Sequence, residues 1–431
     1  MQTNDFSNLP TSWQIKTLGE VCVSTNSNIT FKNIQDKKGD YPIYGASGVV
    51  AYVDFYTKEN QSLGIVKDGA GIGRVFLLPP KASVIGTLHY VENNDDLNLK
   101  YLFYFLQSIN LARYITGSAI PHIYFRDWKK EQIPLPPLEI QKRIVARLES
   151  AFEKIEKGSA HLQDAKTKLA KYKQSLLKSA FDGTLTAAAS LQGVEKAETI
   201  HKVDCHDLTS SKLAMTDKEN PKLPQGWTIK TLGEVLSNDK YAIKRGPFGS
   251  SLKKNFFVKS GVRVFEQYNP INQDVEWKRY FITQEKFKEL EAFKAGAGDL
   301  LISCSGTLGK ILELPQNVEV GIINQALLKI RLDNTQILNS YFVHLFNSPY
   351  MQKIILENTL GSTIQNIASV KELKQIKIPL PPLETQKQIV KLLEKHLQHA
   401  DKTGEFIESA LNKAKQLKQS LLKSAFLGKL T

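Results

Sequence analysis

Three cysteines in 431 residues, Cys22, Cys205 and Cys304, leave little room for thiol chemistry. They lie far apart and are odd in number, which argues against a disulfide framework and a CxxC metal site and fits a reducing cytoplasm. No apolar run reaches the roughly 18 residues that a membrane span needs. The opening MQTNDFSNLP lacks the basic-then-apolar pattern of a signal peptide. A soluble, cytoplasmic protein is expected. Catalytic signatures are also lacking. The nearest approach to the [DN]PP[YF] of an adenine methyltransferase is Asn269-Pro270-Ile271-Asn272, without the second proline and the aromatic. A P-loop around Gly309-Lys310 would need Gly at Cys304 and Ser or Thr at Ile311. His396 and His399 have no carboxylate or cysteine company. His201, Cys205 and His206 have no fourth ligand at the usual spacing. The chain is expected to catalyse nothing and to bind no cofactor and no metal itself.

What is present is positive charge and repetition. The formal charge is +14 and the pI about 9.3. That excess fits a polyanionic partner such as double-stranded DNA, held by salt-dependent phosphate contacts. A hydrophobic share of 42% is enough for real cores, and the length implies two domains or more.

The chain is written twice. Residues 13–21 read WQIKTLGEV and residues 227–235 read WTIKTLGEV, 214 positions on. Residues 133–149, IPLPPLEIQKRIVARLE, recur at 378–394 as IPLPPLETQKQIVKLLE, 245 positions on. Residues 173–186, KQSLLKSAFDGTLT, recur at 418–431 as KQSLLKSAFLGKLT, also at 245. The second middle is therefore 31 residues longer, while the closing stretches are equal in length. Fixed ends around divergent middles imply one scaffold carrying two different working parts.

Each closing stretch reads as a long helix. Pro134, Pro136 and Pro137 block helix before it, and residues 139–182 hold no proline and one interior glycine, Gly158. Leu148, Ile155, Leu162, Leu169 and Leu176 stand seven apart, with Ile144, Phe152, Ala165 or Lys166, Tyr172 and Ala180 near the alternate positions. Leu393, Ala400, Ile407, Ala414 and Leu421 keep that register in the second copy. Such a seam needs a partner, and the other helix is the nearest one; antiparallel pairing of 139–182 with 384–431 is predicted. Each helix packing on its own globular segment is the alternative. Residues 187–222, polar and without period, read as a linker.

The two middles share landmarks. Residues 63–80, LGIVKDGAGIGRVFLLPP, match 300–315, LLISCSGTLGKILELP, as a β-hairpin with a tight glycine turn. Lys67, Gly71, Gly73 and Arg74 in one, Thr307 and Lys310 in the other, are candidates for phosphate contact, since glycines let backbone amides approach an anion. Residues 116–123, TGSAIPHI, match 360–367, LGSTIQNI. Ser118 and Ser362 suit a turn or N-cap at a phosphate. His122, Gln365 and Asn366 have base-reading side chains, and Arg126 suits guanine or phosphate. In the second middle only, KRGPFGSS at 244–251 with the lysines after it gathers Lys244, Arg245, Ser250, Lys253 and Lys254. Its counterpart is taken as YPIYGASG at 41–48, which has no basic cluster, so the two middles should read different sequences. Solvated hairpins, local caps and a solvated loop would account for the same residues.

The PLPPLE run followed by Gln141-Lys142-Arg143-Ile144-Val145, and again by Gln386-Lys387-Gln388-Ile389-Val390, is similar to the repeated region of type I restriction-modification specificity subunits. The repeats WxIKTLGE and KQSLLKSAF resemble the same family, over nearly the whole chain outside the linker. The resemblance implies a mixed α/β fold: two target-recognition domains, 1–138 and 223–383, held apart by an antiparallel coiled coil of two long helices, 139–186 and 384–431, with the linker at 187–222. It implies that each domain reads half of a split, asymmetric DNA site through the major groove. It implies docking of two modification subunits using S-adenosylmethionine, and of an ATP-driven restriction subunit. Specificity should then reside in about 20–132 and 235–377, and spacing in the helices. An enzyme with unrecognised chemistry and a scaffold that binds protein alone are the rival classes.

Overall fold

The computed structural model describes residues 6, 9–117, 121–185, 223–357 and 367–430. The repeated ends close each middle with the same clasp. Gln14–Thr17 pairs antiparallel with Gln132–Leu135, and Thr228–Thr231 with Lys377–Leu380. After each opening strand a capping box turns the chain: Glu20 accepts from the backbone and hydroxyl of Thr17, and Glu234 does the same for Thr231, all at 2.6 Å. After each closing strand a proline pair stops pairing, and helix begins at Leu138 and Leu383.

The glutamine of the repeated PLPPLExQK run has a structural task. Gln141 is fully buried; it accepts from Asn98 N–H (2.7 Å) and donates to Asp96 O (2.9 Å) and Pro136 O (2.8 Å). Gln386, equally buried, accepts from Leu338 N–H and donates to Gln336 O and Pro381 O at 2.8–2.9 Å. A tyrosine completes each staple: Tyr101 donates to Pro134 O and Tyr341 to Pro379 O. Three satisfied bonds per amide explain why glutamine stands where a helix surface would take any polar residue.

Each middle holds two small sheets and short helices. In the first, Cys22–Asn26, Leu88–Asn93, Ser62–Val66 and Val75–Leu78 form one sheet in that order. Gly48–Val53, Tyr41–Gly45 and Ser83–Val84 form the other, with Tyr41–Gly45 and Ser83–Val84 parallel. In the second, Ile243–Arg245, Leu327–Ile330, Leu300–Ser303 and Ile311–Glu313 repeat the first order. Tyr280–Ile282, Val262–Phe265, Gly321–Ile323 and Lys294–Ala295 form the other sheet, again with one parallel pair, Val262–Phe265 with Gly321–Ile323. The extra length of the second middle includes the helix Gln284–Glu289. This topology corrects one equivalence. The counterpart of Ile243–Arg245 is the edge strand Cys22–Asn26. Tyr41–Gly45 answers instead to Val262–Phe265, by sheet position and parallel pairing.

Contacts divide the chain into two units, Met1–Ala165 with Phe406–Thr431, and Lys166–Glu405. The division falls inside both long helices, Leu138–Phe181 and Leu383–Phe426. In the first unit, Ile144, Val145 and Leu148 share a core with Leu422, Ala425 and Phe426, the tail of the second helix; Phe426 meets Tyr101 edge-on at 5.1 Å. In the second unit, Ile389, Val390 and Leu393 share a core with Leu176, Ala180 and Phe181, the tail of the first helix; Phe181 meets Tyr341 edge-on at 5.4 Å. Each tail ends on a glycine at positive φ under a proline. A Cβ on Gly183 (φ 82°) would come within 2.1 Å of Pro224, and one on Gly428 (φ 73°) within 2.9 Å of Pro10. The repeated KQSLLKSAFxG is thus a plug that seats in the middle belonging to the other repeat.

Within each unit the helix segments run antiparallel. Glu156 pairs with Lys418 and Arg147 with the Leu430 carbonyl in the first, and Lys173 pairs with Asp401 in the second, where Gly404 lies opposite Leu169. The seam holds with one change. Tyr172 is 40% exposed, and Lys173, half-buried, occupies the inward position beside it. Among the described residues no helix is long and apolar enough to cross a membrane.

Candidate nucleic-acid interface

In the first unit the hairpin forms as expected, between Ser62–Val66 and Val75–Leu78, but its turn is not tight. Val66 and Gly73–Arg74 close a six-residue loop: Gly73 N–H donates to Val66 O and Val66 N–H to Arg74 O, both at 2.9 Å. Gly71 and Gly73 have φ of 92° and 81°, and a Cβ on Gly73 would press on Leu111 at 3.1 Å. The loop is tied to the other candidate segment. Gly69 N–H donates to Pro121 O (3.2 Å), Ile123 N–H to Lys67 O (2.9 Å), and His122 exchanges two 2.9 Å backbone bonds with Thr116.

Side chains then converge. Lys67 Nζ reaches Asn26 Oδ1 at 3.3 Å, and Arg74 reaches the Ala46 carbonyl at 2.6 Å. The Arg126 guanidinium lies 4.4 Å over the Tyr124 ring, which meets His122 edge-on at 4.6 Å. A cation over a ring keeps its charge while losing rotamer freedom, a state suited to gripping a base or phosphate. Beneath Lys67, His89 is buried and its pKa is lowered to about 4, by desolvation and then by the Lys67 charge. Ser118 lies outside the described residues.

In the second unit the matching hairpin repeats the same closure. Gly309 N–H donates to Ser303 O and Ser303 N–H to Lys310 O, both at 2.9 Å, around five residues. Ser303 Oγ donates to Thr307 O (2.7 Å) and accepts from Lys310 N–H (3.0 Å), which braces the loop. Thr307 and Lys310 are exposed. Lys244 and Arg245 sit on an edge strand, and Arg245 Nη2 donates to Cys304 O at 3.5 Å, bringing the basic segment to the hairpin. Lys244 lies over Phe293 (5.3 Å) and Arg245 over Phe248 (5.4 Å), whereas Ser250, Lys253 and Lys254 are exposed on short turns. Ser362, Gln365 and Asn366 lie outside the described residues.

The rings holding these cations, Tyr124 (40% exposed) and Phe248 (57%), were not singled out from sequence, although an aromatic beside an arginine was a visible signal. Among the described residues, burial pushes the thiols of Cys22 and Cys304 up to about 12, which keeps both protonated and weakly nucleophilic. Asn269, in the segment nearest a methyltransferase motif, is fully buried. Its amide accepts from Glu266 N–H and donates to Asp274 O and Trp277 O, so it is spent on the turn. Among the described residues no three His, Cys, Asp or Glu are placed to hold a metal.

Comparison with known proteins gives one consistent answer. The family model described as the type I restriction modification DNA specificity domain matches twice, at 10–162 and 224–412. The chain is 24% identical to the type I restriction enzyme EcoBI specificity subunit of Escherichia coli, over 79% of this chain and 68% of that one. It is 25% identical to a putative type I specificity subunit of Haemophilus influenzae, over 88% and 86% of the two chains. With the MjaVIII specificity subunit of Methanocaldococcus jannaschii it shares 24%, over 95% and 92%. In fold it is similar to a chain from a study of complex assembly and conformational transition in the type I R-M system (TM-score 0.68, 20% identity, 98% and 99% covered). It is also similar to the HsdS subunit of Thermoanaerobacter tengcongensis (TM-score 0.53, 20% identity, 98% of each covered).

Proposed function

Since this chain belongs to the family of type I restriction-modification DNA specificity subunits, we propose that it reads a bipartite, asymmetric site on double-stranded DNA, one half with each recognition domain. It is a non-catalytic subunit whose work is recognition of a DNA target. In this reading the domains are 1–138 and 223–383, the long helices 139–186 and 384–431 set the spacer, and 187–222 links the halves. The helices dock two modification subunits, which bring S-adenosylmethionine, and a restriction subunit brings ATP; the complex works in the cytoplasm. Lys67, Arg74, Lys253, Lys254 and Lys310 hold phosphates, with Gly71, Gly73, Ser118, Ser250, Thr307 and Ser362 shaping backbone contacts. In this reading His122, Arg126, Gln365 and Asn366 meet base edges, and Lys244 and Arg245 contact the DNA backbone.

The observation that supports this best is the doubled hairpin. In each unit a glycine-bearing loop ending in Arg74 or Lys310 is braced against a second conformationally fixed segment. Two equivalent but chemically different surfaces on one repeated frame suit a site with two unlike halves. The test is selection of bound duplexes from a randomised pool by the chain with its modification subunits. A two-part motif with a fixed gap is expected. Enrichment of one continuous motif, or of none, contradicts the proposal.

A further inference from the structure

The second unit carries a turn that no basic-residue search would find. Strands Val262–Phe265 and Gly321–Ile323 run parallel, so both end at one edge of their sheet. Asn324 N–H donates to Phe265 O at 2.9 Å, which sets the two following turns side by side. A Cβ on Gly246, next to Arg245, would lie 1.8 Å from the Asn324 carbonyl, so the basic segment presses on the same place. Gln273 Nε2 donates to Ile311 O at 3.0 Å, one residue beyond Lys310. The turn 266–273 therefore lies among Arg245, Lys310 and their loops.

This turn is rigid. Asn269 ties it from within, Tyr268 stacks on Trp277 at 4.3 Å, and Gln273 adopts the left-handed conformation at φ 54°. Yet two acceptors on it are unspent. Glu266 and Gln267 are half-buried and still reach the surface, and Glu266 Oε2 and Gln267 Oε1 have no hydrogen-bond partner among the described residues. Buried acceptors are ordinarily satisfied, so an orphaned one is open to a water, an ion or a ligand. Burial pushes the Glu266 carboxyl up, while Arg279 pulls it down. A carboxylate among phosphate-binding lysines is repelled by the DNA backbone. The groups on a duplex that reward it are the exocyclic amines in the major groove.

We propose that Glu266 and Gln267 read bases for the second recognition domain, Glu266 accepting from a cytosine N4 amine and Gln267 spanning adenine N6 and N7. The inference rests on the DNA-reading function proposed above. Its test uses the full chain assembled with its modification subunits, and measures base preference at every position by competition with single-substituted duplexes. Glu266→Ala and Gln267→Ala should each lose about tenfold or more discrimination at one position, both positions falling in the same half-site. The other half-site and the salt dependence should be unchanged. Glu266→Gln, an isostere that keeps the packing, should move the preference at its position from cytosine toward adenine. Variants with unchanged thermal unfolding and unchanged preference at every position overturn the assignment. A wild-type complex without any base preference would instead overturn the DNA-reading function on which it stands.

Discussion

Replacing Phe426 with alanine tests the seating of the helix tails. The ring is 3% exposed and lies edge-on to Tyr101 at 5.1 Å and Phe105 at 5.2 Å. Truncating a buried phenylalanine costs about 3–5 kcal/mol through lost transfer energy and the cavity left behind. Taking about 4 kcal/mol, local opening of the first unit should rise by about three powers of ten. Hydrogen exchange followed by mass spectrometry reads this directly. Peptides covering Leu99–Ser108 and residues 144–152 should lose protection, although they lie 274 to 327 residues away in sequence. Phe181→Ala should do the same to Asn339–Phe346 and residues 389–393, leaving the first set alone. Phe406, on the same helix as Phe426 but 77% exposed, supplies the control; its alanine variant should change stability by less than about 0.5 kcal/mol. Loss of protection around Asn339–Phe346 in the Phe426 variant would refute the exchange of tails.

Three further outcomes are expected. Replacing exposed Lys253, Lys254 and Lys310 with alanine should flatten the slope of log K against log salt by about 3, at about 0.9 per phosphate, without changing the preferred sequence; an unchanged slope would remove these lysines from the interface. Leu148 and Leu393 belong to cores. A seven-residue deletion that spares both cores removes 162–168 and 406–412, which fall in sequence between the residues of the Glu156–Lys418 and Lys173–Asp401 pairs. It keeps the seam in phase and should shorten the preferred spacer by about three base pairs, about 10 Å, with the half-sites unaltered. His89 binds its proton only near pH 4 when folded, against 6.5 when unfolded. Stability of the first unit should be full above pH 6.5 and fall by about 3 kcal/mol as pH drops to 4, a loss that His89→Asn abolishes in thermal unfolding.

Much of the scaffold was legible because repetition and period are written in the chain. The offsets announced two equal helices, and the spacing of Leu148 through Leu176 announced their seam. What the pattern could not say is where each tail seats. Leu422, Ala425 and Phe426 look the same to a sequence reader whether they pack on their own repeat or on the other. Gln141 and Gln386 were read as part of a motif, but their buried staples depend on Asp96 and Gln336, far away in sequence. In the middles the hairpins were visible through their glycines, while their loops proved longer because Val66 pairs with Gly73–Arg74 and Ser303 with Gly309–Lys310, so the glycines end the loops and do not form tight turns. The pairing of 41–48 with 244–251 failed because shared Gly, Ser and Tyr reflect turn chemistry common to many loops, whereas strand order fixes equivalence. Glu266 carried no signal at all: an acidic residue in a basic chain looks solvated until its unspent oxygen is seen.

The central claim is that one chain supplies both halves of a DNA address. Mapping methylated adenine across the host genome, with the gene intact, deleted, or carrying residues 235–377 of another family member, tests it most directly. The account predicts a two-part motif that vanishes on deletion and changes in one half only on exchange. A methylation pattern indifferent to the gene, or an exchange that alters both halves at once, would contradict it.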